Sequence, residues 1–125
     1  MAENQKTRDI KERTFNFAVA IVGLCAELTE RSGVRRTIGY QLLSSGTSIG
    51  GNVEEAQAGQ SRADFVSKYA ISLKEARETI YWLRLLEASG QLSGEKCQSL
   101  RREADEIARI IGAIIVRAKN NNARK

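Results

Sequence analysis

Ladders of mostly apolar side chains, stepped by three and four residues, occur four times along this chain, and no proline interrupts them. The first is Ile10, Thr14, Phe17, Ile21, Leu24, Leu28 and the last is Leu100, Ala104, Ile107, Ile111, Ile114, Ala118. Such steps put side chains on one stripe of a helix, which is buried by packing against other helices. The spacing therefore predicts an all-α chain. Four ladders within 125 residues leave room for one domain, which at this size buries roughly two thirds of its unfolded surface without disulfides or metals as staples.

Capping and turn residues place the helix boundaries. The first helix is expected over about 7–30, with Thr7 as N-cap and Ser32-Gly33 as its stop. The second, over about 35–58, carries Ile38, Leu42, Ser45, Ile49, Val53 and Ala56 inward and stops at Gly59. Ser61, followed three residues later by Asp64, opens a third over about 62–89 with the stripe Val66, Tyr69, Leu73, Ala76, Ile80, Leu83, stopped at Ser89-Gly90. Ser93 caps a fourth over about 93–119, and 120–125 reads as a disordered polar tail. Connections this short make neighbouring helices antiparallel, so the expected architecture is an up-down-up-down antiparallel four-helix bundle. At about 25 residues per helix it is roughly 37 Å long.

Chemistry is harder to find than architecture. There is no His, so the serines Ser44, Ser45 and Ser48 lack a base partner, and Glu54, Glu55, Glu75 and Glu78 lack the Glu-x-x-His pairs of di-iron bundles. No catalytic residue, metal site or cofactor is assigned, which argues against an enzyme. Gly46, Gly50 and Gly51 each cost a helix interior up to about 1 kcal/mol relative to Ala. A close approach by a neighbouring helix or subunit explains them better than a phosphate cradle, because no GxxxxGK[ST] follows a strand. Cys25 and Cys97 fall among apolar helical positions and read as reduced core thiols. The opening MAENQKTRDIKER has no apolar stretch of signal-peptide type, and no run of about 18 apolar residues occurs. A soluble cytoplasmic protein without a membrane partner is the expectation.

Charge is the remaining handle. The net charge is +5, and Arg117, Lys119, Arg124 and Lys125 put four cations into the last nine residues with no acid among them. The opposite end of the bundle is expected to hold Arg31, Arg35 and Arg36. These seven residues are the candidate contacts for RNA or DNA, each otherwise a solvated helix end favoured by the helix dipole. A second apolar set, Tyr81, Trp82, Leu85, Leu86 with Ile110, Ile115, Val116, exceeds one internal stripe and is either a wide core face or a subunit interface. Few aromatics lie off these apolar positions, which favours backbone contacts over base recognition.

The segment SSGTSIGGNVEEAQAGQSRADFVSKYAISLKEARETIYWLRLLEASGQL resembles the signature region of the four-helix-bundle family encoded by intervening sequences within bacterial 23S rRNA genes. The residues that carry the likeness are Ser48, Ile49, Asn52 and Glu55, then Ser61, Asp64 and Phe65, then Glu75 ten residues on. Ala56-Gln57-Ala58-Gly59 replaces the family's commoner Glu-Gly turn. The resemblance implies a ring-like homopentamer with a basic surface, in which Asn52, Glu55, Asp64 and Glu75 organise the contact between the second and third helices. A related branch serves as the accessory subunit of diversity-generating retroelements, binding a reverse transcriptase and nucleic acid. Two functions follow as expectations: a non-enzymatic oligomer that binds nucleic acid through basic residues, or a protein-protein adaptor whose positive charge is incidental.

Overall fold

In the computed structural model, which describes residues 5–59 and 61–123 with side chains over 9–59 and 61–121, all regular structure is helical. The elements are α1 (Gln5–Leu28), α2 (Val34–Gln57), α3 (Arg62–Ala88) and α4 (Gly94–Ala123). α1 packs on α2 and α4, and α3 packs on α2 and α4, while the diagonal pairs α1/α3 and α2/α4 keep their backbones apart. This is the four-helix bundle that the ladders predict. Among the described residues no helix is long and apolar enough to cross a membrane.

The boundaries differ from the sequence reading where local chemistry differs. α1 is already helical at Gln5, so Thr7 lies inside it rather than capping it. α2 ends with Ala58 in a right-handed conformation, and Gly59 does not take the left-handed one. Gly90, at φ +76°, does. There the Gln91 amide donates to Leu86 O (2.9 Å) and the Gly90 amide to Glu87 O (3.1 Å), which satisfies two orphan carbonyls of α3. Ser61 caps α3, its Oγ accepting from the Asp64 amide at 3.1 Å. α4 runs to Ala123, past the expected end at Lys119, because extending a formed helix gains a hydrogen bond per residue without a new nucleation cost.

The core is built on the ladders of α1, α2 and α4. Ile10, Phe17, Ile21, Leu24 and Leu28 of α1 are buried, as are Leu42, Ile49, Val53 and Ala56 of α2 and Ala104, Ile107, Ile111, Ile114 and Ala118 of α4. Each fully buried Ile or Leu contributes about 1.5–3 kcal/mol relative to exposure. α3 is rotated from expectation. Its seam is Tyr69, Ser72, Ala76, Thr79, Leu83 and Leu86, while Val66, Leu73 and Ile80 are only half-buried. Two hydroxyls make that rotation affordable in free energy. Ser72 Oγ donates to Ile49 O (2.8 Å) and Thr79 Oγ1 to Ser45 Oγ (2.9 Å), both across to α2. No buried side-chain nitrogen or oxygen among the described residues lacks a partner, so the desolvation penalty of an unmet group is avoided.

The second apolar set is mostly absorbed by this wide core. Leu86 is buried, and Trp82, Ile110 and Ile115 pack partly buried against the cluster, leaving Tyr81 and Val116 exposed. Cys25 and Cys97 are free and buried. Burial pushes the Cys25 thiol up to about 11, which keeps it protonated at neutral pH, and Cys97 Sγ donates to Leu83 O at 2.9 Å.

The glycines of α2 divide by face. A Cβ on Gly46 would lie 2.8 Å from Ile21 Cγ2, and one on Gly50 would lie 3.2 Å from Thr14 O, so α1 uses this face for its closest approach. Gly51 points away, with nothing within 4 Å. Gly51→Ala is therefore expected to raise stability by up to about 1 kcal/mol, the helix-propensity difference. A urea titration checks it; destabilisation would mean that Gly51 is covered by something outside the single chain.

Candidate nucleic-acid interface

The charge on the bundle is sorted by face. From Thr14 to Ala26 in α1 and from Thr37 to Val53 in α2 there is no charged residue, so the outward sides of both helices are neutral over most of their length. α3 and α4 carry the reverse. Lys74, Arg77, Tyr81 and Arg84 follow each other at steps of three, four and three, which aligns them on one stripe of α3. All four are exposed, and their stripe lies opposite the buried seam of Tyr69, Ala76 and Leu83. Of the acids of α3, Glu75 lies on the flank toward α2 and Glu87 turns to α4, where it pairs with Arg101 at 2.7 Å, while Glu78, four residues after Lys74, stands at the edge of the stripe and accepts from Trp82 Nε1 at 3.2 Å.

Between α3 and α4 the surface opens into a cleft of about 470 Å³ lined by Ile80, Gln98, Arg101, Arg102 and Asp105. Ile80 gives it an apolar wall, and Gln98 donates an amide hydrogen bond to Glu87 at 3.3 Å. Asp105 is occupied by Arg109 at 2.6 Å. The acids near the cleft are thus neutralised within the fold, whereas Lys74, Arg77, Arg84 and Arg102 enter none of the seven ion pairs among the described residues. Unpaired guanidinium and ammonium groups keep all their donors for an external anion, and Arg presents a fork that fits a phosphate in two-point fashion. The chemistry this face offers is attraction of an anion, and among the described residues no group of three or more His, Cys, Asp or Glu side chains could hold a metal ion.

The cations singled out from sequence are dispersed. Arg117 and Lys119 are both exposed on α4, but two residues along a helix turn the side chain about 200°, so they face nearly opposite ways. Arg117 borders an open cavity of about 510 Å³ with Val116, Asn120 and Asn121. Arg124 and Lys125 lie outside the described residues. At the other end of the bundle Arg31 and Arg35 line a cavity of about 440 Å³ together with Glu27 and Glu30, whose charges oppose an anion there. Arg36 is exposed beside them. The α3 stripe is not among the cations expected from sequence, because Tyr81 reads there as part of the second apolar set. Its signal is present in the sequence all the same: three cations at 74, 77 and 84 on one helical stripe.

The residues of the α2–α3 motif also find their places. Glu55 reaches α3, pairing with Lys68 at 2.9 Å, while Glu54 turns to Lys11 of α1 at 3.7 Å. Ser48 Oγ donates to Ser44 O (2.6 Å) and Asn52 Nδ2 to Ser48 O (2.8 Å), both within α2. Asp64 closes the cap of α3 through its amide, and the Phe65 ring packs on Tyr69 at 4.6 Å. Glu75 is half-buried, and burial first, then the Glu78 charge, lifts its carboxyl above the usual carboxylate range. The direct cross-links of α2 and α3 are Ser72, Thr79, the Glu55–Lys68 pair and the Gln57 bond to Tyr69 Oη at 2.8 Å.

Residues 6–113 match the family model described as 23S rRNA-intervening sequence protein. A crystal structure of a protein of unknown function from the S23 ribosomal protein family of Bacteroides thetaiotaomicron VPI-5482 superposes with a TM-score of 0.83 at 41% identity. The match covers 89% of this chain and 98% of that one. No curated protein matches the chain.

Proposed function

This chain belongs to the 23S rRNA-intervening sequence protein family, and we propose that it acts without catalysis, as a self-assembling cytoplasmic bundle that binds nucleic acid through the cationic α3–α4 face. The observation that carries this reading is the exposed stripe of Lys74, Arg77 and Arg84, none of them in an ion pair among the described residues and with Glu78 the one carboxylate at its edge, continued across the cleft by Arg102. Arg117, Lys119 and Arg36 add exposed cations near the two ends of the bundle, whereas Arg31 and Arg35 share their cavity with Glu27 and Glu30. Such contacts address phosphates rather than base edges, so binding is of low sequence specificity and falls with salt as counterions compete. Four phosphate contacts per subunit give a log–log salt slope of roughly −3 to −4, or about a hundredfold weaker binding between 50 and 200 mM salt. Titration of labelled RNA and DNA at those two concentrations is the test. A salt-independent signal, or no retention at low salt, defeats the proposal.

Self-assembly is supported by α1. Phe15, Val19 and Val22, at 63%, 57% and 51% exposure, share its outward stripe within thirteen consecutive uncharged residues. A helix apolar on all sides belongs in an interior, and a patch of this kind on a single chain marks an interface. α1 and α3 are diagonal in the bundle, so copies that meet through α1 leave the basic stripe of α3 uncovered. The resemblance implies five copies. Val19→Glu with Val22→Glu is expected to reduce the mass measured by light scattering to that of one chain, with helicity retained because both sites are already solvated in the single bundle. A wild-type monomer would instead leave the stripe open to a different protein, the arrangement an adaptor requires.

A further inference from the structure

Resting on the nucleic-acid reading above, we propose that the α3 stripe takes unpaired strands, with Tyr81 as the platform on which a base stacks between phosphates held by Arg77 and Arg84. Three aromatic rings are widely exposed: Phe15, Tyr40 (52%) and Tyr81 (54%). Phe15 and Tyr40 stand on the side formed by α1 and α2, each with a cation in register on one side only, Lys11 four residues before Phe15 and Arg36 four before Tyr40. Tyr81 alone stands between cations, four residues after Arg77 and three before Arg84, which are about 10 Å apart along the helix axis.

The ring is also braced. Trp82 meets it edge-on, with ring centroids 5.2 Å apart and planes at 70°, and Trp82 is itself held by packing on the core and by its Nε1 donating to Glu78 Oε2 at 3.2 Å. A surface ring fixed in this way loses little freedom when a base settles on it. Stacking of bases on aromatics is the recurrent device for gripping single strands without reading their sequence, with cations tracking the backbone on either side. A duplex keeps its bases stacked on one another, so it gains from the arginines and lysine of the stripe but not from Tyr81. The inference is therefore a difference between strand states and not a further claim about charge.

The experiment compares a fluorescein-labelled homopolymeric single strand with a duplex of equal length, titrated at low salt with the full chain in its own assembly state. Tyr81→Ala should weaken single-strand binding about tenfold, within the range found for loss of one stacked base, while duplex affinity stays within about twofold because every cation remains. Tyr81→Phe, which keeps the ring, should bind as the wild type does. Trp82 is the sole tryptophan of the chain, and its emission should change on binding the single strand but not the duplex. Equal losses for both strand states, or Tyr81→Phe as weak as Tyr81→Ala, would overturn the stacking role while leaving the cationic interface standing. Failure of the wild type to bind either probe would overturn both.

Discussion

Gly46→Val is expected to lower the stability of the bundle by about 3 kcal/mol or more, a large fraction of the 5–15 kcal/mol typical of a domain. Even the first atom of the new side chain would sit 2.8 Å and 2.9 Å from the two γ carbons of Ile21 and 3.3 Å from its Cβ. Ile21 is fully buried in the middle of the core and has no solvent to swing into. Relief would have to come from the helices moving apart, which would also open the close approach at Gly50, where an added Cβ would lie 3.2 Å and 3.3 Å from the backbone O and C of Thr14. The cost of overpacking is commonly about 1–3 kcal/mol per site when side chains can adjust; backbone on one side and a locked isoleucine on the other remove that adjustment. Chemical denaturation followed by helicity measures the effect, and Gly51→Ala, on the open side of the same helix, is the matched control. A Gly46→Val protein within about 1 kcal/mol of wild type would show that α1 and α2 are not held at this distance.

Reversing the α3 stripe with Lys74→Glu, Arg77→Glu and Arg84→Glu is expected to weaken nucleic-acid binding by more than about a hundredfold at low salt and to flatten the salt slope by about three. Each change removes a phosphate contact and adds a repulsion, so the loss exceeds that of simple truncation. None of the three residues is paired or buried, and exposed sites of that kind usually alter stability by no more than about 0.5 kcal/mol. A loss of binding with unchanged melting is thus assignable to the interface. Arg117→Glu with Lys119→Glu serves as the comparison, because those two residues diverge around α4 and do not form a single phosphate track. Anisotropy titrations of both variants decide between the sites: if the terminal pair proves costly and the stripe does not, the basic end of α4 carries the binding.

Several features were legible before any coordinates. The ladders of α1, α2 and α4 read as buried residues except at Ile38 and Leu100, which are half-buried, since a period near 3.6 in apolar side chains leaves a helix only one way to face its neighbours. The spacing of Gly46 and Gly50 announced a close helix contact, because glycine in a helix interior is a cost that only proximity repays. α3 was misread by part of a turn because Ser72 and Thr79 count as polar in a sequence, yet each can enter a core once a partner on α2 accepts its proton.

The order, number and length of the helices are properties of the one-dimensional pattern, since propensity and periodicity act over a few residues at a time. The interface is not such a property. Which cations are free depends on which acids reach them from another helix, as Glu87 does for Arg101 and Glu103 does for Arg13 at 2.7 Å. Only packing decides that α3 turns its hydroxyls inward and so carries Lys74, Arg77, Tyr81 and Arg84 outward together, diagonal to the neutral stripe of α1. Coulomb forces act through space and ignore the order of residues along the chain, and for that reason the distribution of charge had to wait for the tertiary fold.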